Sequence, residues 1–136
     1  MIKFSKETDY ALQLLEQLSK SESVLSLAEF SANSNISLPI LQKIARSLKK
    51  DRLIVAHRGK NGGYTIARPI EKISLKDVVS AMQMEYGVTE CTKKVHGCKL
   101  ESQCNAKRGF ELLHSQVNAI MESTTLDIFF HTEQHV

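Results

Sequence analysis

Cys91, Cys98 and Cys104 are the only thiols of the chain, and they fall in one stretch spaced C-x6-C-x5-C, with Gly97 and mostly polar residues between them. Three sulfur donors on one loop suit convergence on a single metal centre, because thiolates hold both zinc and iron-sulfur clusters. Structural zinc sites favour close pairs such as C-x2-C, which this stretch lacks, so the wider gaps point to a 2Fe-2S or 4Fe-4S cluster. A redox thiol switch is the second reading, since Lys93, Lys94, Lys99 and Lys107 favour the thiolate form, and zinc is the third. Three cysteines leave one ligand position open. His96 reads as a polar loop residue. Glu90, Glu101 and Asp9 can each offer oxygen, a harder and weaker ligand for iron that suits a cluster meant to react or be lost.

The compartment agrees with metal or redox use. Met1 to Ser5 opens no signal peptide, and no apolar run approaches the roughly 20 residues that span a bilayer, so a cytoplasmic protein with no membrane partner is expected. An odd set of thiols fits poorly with a disulfide framework there. No paired His, Asp or Glu motif accompanies the cysteines, which argues against an enzyme with a cysteine nucleophile and a small-molecule substrate.

The elements that must position this loop fit one compact domain with an arm, within 136 residues. Tyr10, Leu14, Leu15 and Leu18 predict a first helix over about Lys6 to Lys20. Ser26 and Glu29 are spaced as a capping box for a short second helix through Leu27, Ala28 and Phe30, and Asn33, Ser34 and Asn35 read as the turn after it. A third helix starts near Leu38, with Pro39 in its first turn, and carries Leu41, Ile44, Ala45 and Leu48. Leu53 to Val55 and Tyr64 to Ile66 flank Asn61-Gly62, read as a positive-φ turn, and so predict a hairpin. Ser74 and Asp77 cap a fourth helix with Leu75, Val78, Val79 and Met82. Phe110, Leu113, Val117, Ile120 and Met121 mark a long helix whose seam pairs two protomers, and Thr125 caps a last turn around Leu126, Ile128 and Phe129.

The fold class expected is mainly α with a small β-hairpin wing: a winged helix-turn-helix over 1-84, a cysteine loop over 85-106, and a dimerisation helix with its tail over 107-136. Net charge is only +3, yet Lys43, Arg46, Lys49, Lys50, Arg52, Arg58 and Lys60 crowd one stretch against the single acid Asp51. Such a field attracts a phosphate backbone and releases its counterions. On a double-stranded DNA operator, Ser37, Gln42, Lys43 and Arg46 are the candidate readers of the third helix. Lys43, Lys49 and Lys50 suit phosphates, and Arg58 and Lys60 are presented by the wing, with Arg58 toward the minor groove.

In this order of parts the chain resembles the Rrf-two family of bacterial transcription regulators, the group that contains IscR, NsrR and RirA. Thr8-Asp9-Tyr10-Ala11-Leu12, Arg58-Gly59-Lys60-Asn61-Gly62-Gly63-Tyr64, Ile73-Ser74-Leu75-Lys76-Asp77-Val78-Val79 and the three cysteines carry the resemblance over nearly the whole chain. It implies a homodimer with paired winged helices, crossed long C-terminal helices, and a cluster near them that sets operator affinity. IscR-type members have histidine where this chain has Lys107. NsrR-type members share Thr8-Asp9, which implies Asp9 of one protomer as fourth ligand for the cluster of the other. The expectation is a repressor reporting iron supply, nitric oxide or redox stress, with a clusterless thiol sensor of the same fold as the alternative.

Overall fold

The computed structural model describes residues 3–82 and 106–131. Helix α1 (Lys6–Lys20) starts at Ser5, whose Oγ accepts the Thr8 N–H at 3.1 Å, and the acids Glu7 and Asp9 in its first turn complement the helix dipole. Its apolar residues recur every three or four positions, so Ala11, Leu14, Leu15 and Leu18 form one buried stripe. Thr8 is the buried polar residue of this helix, with its hydroxyl 3.0 Å from Ser5 Oγ.

Helices α2 (Leu27–Ser34) and α3 (Leu38–Lys50) form the helix-turn-helix. Asn33 and Ser34 belong to α2, and the turn rests on Asn35, left-handed at φ 60, a conformation that asparagine tolerates. Ser31 Oγ donates to the Ile36 carbonyl at 2.6 Å, which fixes buried Ile36 beneath the turn. The Ser26 capping box does not form: Ser26 stands at the N-cap without a side-chain cap bond. Leu25 just before it is instead fixed by backbone pairing, described below.

Arg52 leaves α3 in the left-handed region at φ 59, while the Leu53 N–H reaches the Leu48 carbonyl at 2.9 Å, so the helix closes and a strand begins within three residues. Strands β1 (Ile54–His57) and β2 (Gly63–Ile66) pair antiparallel with Ile54 opposite Ile66 and His57 opposite Gly63. The turn between them differs from the expected Asn-Gly geometry. Positive φ falls on Gly59 (119°) rather than on Asn61 or Gly62, and the Gly62 N–H closes back on the Gly59 carbonyl at 3.0 Å. Leu25 adds a third row. Its N–H and carbonyl both bond Tyr64 at 2.9 Å, and only glycine fits at 63, since a Cβ there would lie 2.2 Å from the Leu25 carbonyl oxygen.

After a 3-10 turn at Ile70–Lys72, helix α4 (Leu75–Met82) opens on the expected reciprocal cap: Asp77 N–H to Ser74 Oγ at 3.1 Å, Ser74 N–H to Asp77 Oδ2 at 3.0 Å. Helix α4 packs on α1, α3 and α5 (Lys107–Ser123), so it closes the core along the helices. Leu14, Leu15, Leu41, Ile44, Leu48, Leu53, Ile54, Ile73, Val78, Val79 and Leu126 make the fully buried centre. The far end of α5 is tied down by Leu75 N–H to the Thr124 carbonyl at 2.8 Å and Leu126 N–H to the Ile73 carbonyl at 2.9 Å, and Lys76 pairs with Glu122. Thr125 begins α6 (Leu126–Phe130), but its hydroxyl donates to the Asp127 carboxylate rather than capping the helix, and so holds Asp127 below the usual carboxylate range.

Candidate nucleic-acid interface and metal ligands

Helix α3 separates its two faces completely. Leu41, Ile44, Ala45 and Leu48 are at most 1% exposed, whereas Ser37, Gln42, Lys43, Arg46, Lys49 and Lys50 all lie on its exposed side. The separation follows from the 3.6-residue period, which puts positions 42, 46 and 49 and positions 43, 46 and 50 on adjoining outer rows. Ser37 is the N-cap residue, yet its hydroxyl makes no cap bond, so both its donor and its acceptor stay directed to solvent at the leading end of the helix. Pro39 occupies the first turn, where its missing N–H costs no helical hydrogen bond.

The wing carries Arg58 and Lys60 exposed on its connecting loop, the positions expected from sequence. His57 Nε2 lies 2.9 Å from Thr65 Oγ1 across the two strands, and exposed Val55 shares the Thr65 register. Two further features of this surface were not anticipated from sequence. Ile40 keeps 39% exposure on the first half of α3, where the only sequence signal was an apolar residue out of step with 41, 44, 45 and 48. Glu7 reaches Lys43 from α1, with its Oε1 2.8 Å from the lysine Nζ, a contact across 36 positions that no local pattern encodes.

Of the candidate metal ligands, Asp9 is exposed in the first turn of α1, where Gln13 Nε2 donates to its Oδ2 at 3.3 Å. Ser5 caps the helix, and among the described residues the Asp9 carboxylate is held by one long, exposed hydrogen bond, so it fits an outward-facing oxygen ligand. Cys91, Cys98 and Cys104, with Glu90, His96, Glu101 and the nearby Lys93, Lys94 and Lys99, lie outside the described residues. Among the described residues no group of three or more His, Cys, Asp or Glu side chains gathers as a metal site. Lys107 starts α5 with its Nζ 3.9 Å from Glu111 Oε1, one turn on.

A helix-turn-helix with a basic outer helix and a hairpin wing defines a winged-helix protein of the DNA-binding class. The chain belongs to the Rrf2 family, described as iron-dependent transcriptional regulators, whose pattern matches residues 4–132. It is 26% identical to the transcriptional regulator NsrR of Oceanobacillus iheyensis, over 96% of this chain and 91% of that one. It is 29% identical to the transcriptional regulator IscR of Cereibacter sphaeroides, over 97% of this chain and 89% of the relative. Among solved structures it resembles CymR, the global cysteine regulator of B. subtilis, with TM-score 0.75 and 25% identity over 93% of this chain and 95% of that one. These relatives are transcriptional regulators rather than enzymes. No helix among the described residues is long and apolar enough to cross a membrane.

Proposed function

We propose that this Rrf2-family transcription regulator is a cytoplasmic homodimeric repressor whose affinity for a double-stranded DNA operator is set by an iron-sulfur cluster on Cys91, Cys98 and Cys104, with Asp9 as fourth ligand. The observation that carries the DNA reading is the outer face of α3, where Ser37, Gln42, Lys43, Arg46, Lys49 and Lys50 stand exposed over a fully buried apolar stripe. Arg58 and Lys60 extend the same charge onto the wing. The dimer reading rests on α5, whose Phe110, Leu112, Leu113 and Ile120 are 36 to 64% exposed and form an apolar surface that a second copy can cover. The work divides into a DNA-binding part over 1-84, a cluster loop over 85-106 and a dimerisation part over 107-136.

When bound, the cluster supplies an iron and sulfide centre that nitric oxide, oxidants or iron shortage alter or remove. The donor set fits it: three soft thiolates with one hard, lightly held carboxylate make a site that binds iron yet gives it up. To switch an operator from nearly full to nearly empty, the two forms must differ in DNA affinity by about 5 kcal/mol.

The test is anaerobic purification with iron and acid-labile sulfide analysis, followed by DNA binding of loaded and stripped protein to an operator selected from genomic fragments. We expect a coloured protein, no cluster in Cys98→Ala, and a cluster lost more readily in Asp9→Ala. Iron-free, sulfide-free protein under these conditions refutes the cluster. A second reading, the clusterless thiol sensor, is supported by the likeness to a cysteine regulator. It is supported further if colourless protein changes DNA affinity with oxidant and loses that response in the cysteine variants.

A further inference from the structure

Lys43 stands apart from the rest of the basic surface. Arg46, Lys49, Lys50, Arg58 and Lys60 have no ion-pair partner among the described residues, whereas Lys43 Nζ is held 2.8 Å from Glu7 Oε1. The pair is open to solvent, with the lysine side chain 66% and the glutamate 39% exposed. A carboxylate therefore sits beside a helix face whose other charged side chains are all cations.

We propose that Glu7 is a specificity-determining residue: it withholds Lys43 from phosphates, so that DNA of arbitrary sequence gains nothing from this lysine. The inference rests on the DNA-binding reading of α3. A free ammonium is a compact point charge that binds any phosphate, and each one adds the same counterion-release term to all duplexes. Once Lys43 is neutralised by Glu7, a random duplex must either break the pair or accept a carboxylate near its own phosphates. An operator that offers a base edge with two acceptors, such as the O6 and N7 of guanine, presents directional contacts that compete for the ammonium. Discrimination then comes from weakening the wrong complex, which is as effective as strengthening the right one. Because the pair is exposed, its influence is modest and falls as salt rises.

The experiment measures affinity against salt concentration for the full chain on the selected operator and on random-sequence duplex. It compares wild type with Glu7→Gln, Lys43→Met, the double variant and Glu16→Gln. Glu16 is a matched control: it pairs with Lys20 at 2.9 Å with exposures of 39% and 63%. It lies about 13 Å further along α1, beyond the Debye length of roughly 8 to 10 Å. Glu7→Gln is expected to tighten random DNA about two- to fivefold near 0.1 M salt and to steepen its salt slope by about 0.9, while operator affinity stays within about twofold. Lys43→Met, which bares the Glu7 carboxylate, should not tighten random DNA, the double variant, neutral at this spot like the wild-type pair, should bind random DNA as wild type does, and Glu16→Gln should change neither duplex. The proposal is overturned if Glu7→Gln tightens both duplexes equally, if Glu16→Gln tightens random DNA as much, or if Lys43→Met alone flattens the random-DNA slope while Glu7→Gln does nothing. A wild-type protein with no salt-dependent affinity for any duplex refutes the DNA reading itself, a separate result.

Discussion

Helices α3 and α5 are both amphipathic, with 13 and 17 residues, yet they turn opposite chemistry to solvent. Helix α3 hides its whole apolar stripe and shows cations. In α5 only Met121 is buried, at 3%, with Val117 packed against the core, and Leu112 and Ile120 keep more than 60% exposure. One periodicity thus gives two surfaces. In the proposed reading the outer face of α3 is completed by a polyanion, whose charge its cations complement. In the same reading that of α5 is completed by apolar surface, because leaving large aliphatic side chains in water forfeits roughly 25 cal/mol for each Å² that a partner would cover.

Four measurements break or sharpen that contrast. The largest effect is expected for Leu48→Ala in the buried stripe of α3, which should lower unfolding free energy by about 2–5 kcal/mol in a denaturant titration, while Leu112→Ala leaves the isolated protomer within about 0.5 kcal/mol. If the two substitutions destabilise the chain equally, α5 is part of the core and the contrast fails. Next, Ile120→Asp should raise the dimer dissociation constant on the order of a hundredfold, about 2.7 kcal/mol, read by sedimentation at several concentrations, with the protomer still folded. Smaller again, Arg46→Ala should weaken operator binding by about 1–2 kcal/mol and flatten its salt dependence, with no change in association state. The smallest pair concerns helix starts: Ser74→Ala should cost about 1 kcal/mol of stability, whereas Ser26→Ala, with no cap bond to lose, should cost no more than a few tenths.

The two serine sites also show how far the sequence is informative. Periodicity located α1, α3 and α4 because each buries a local stripe whose spacing is written in consecutive residues, whereas the strands, of which only Ile54 is buried, were legible from apolar, β-branched runs on either side of a glycine-rich turn. Ser74 with Asp77 formed the expected cap and Ser26 with Glu29 did not. Both sites follow a chain held by backbone pairing, Leu25 with Tyr64 before Ser26 and Ile73 with Leu126 before Ser74, so that pairing does not account for the missing cap; the Leu25 pairing spans 39 positions, and its only trace in the sequence is a glycine at 63. The Asn61-Gly62 signal likewise named the right loop and the wrong residues, since Gly59 supplies the left-handed turn. At the interface, exposure of the α3 side chains followed from the helix period, while the Glu7–Lys43 contact did not. It joins two helices whose relative placement exists only after the core has formed.

The double hydrogen bond between Leu25 and Tyr64 has a mechanical meaning. It clasps the wing to the strand-like residue that leads into α2, so the hairpin and the start of the helix-turn-helix cannot part without breaking two backbone bonds. In the proposed dimer each protomer would therefore meet its duplex as one jaw of a calliper, and the dimension left to adjust is the gap between the jaws.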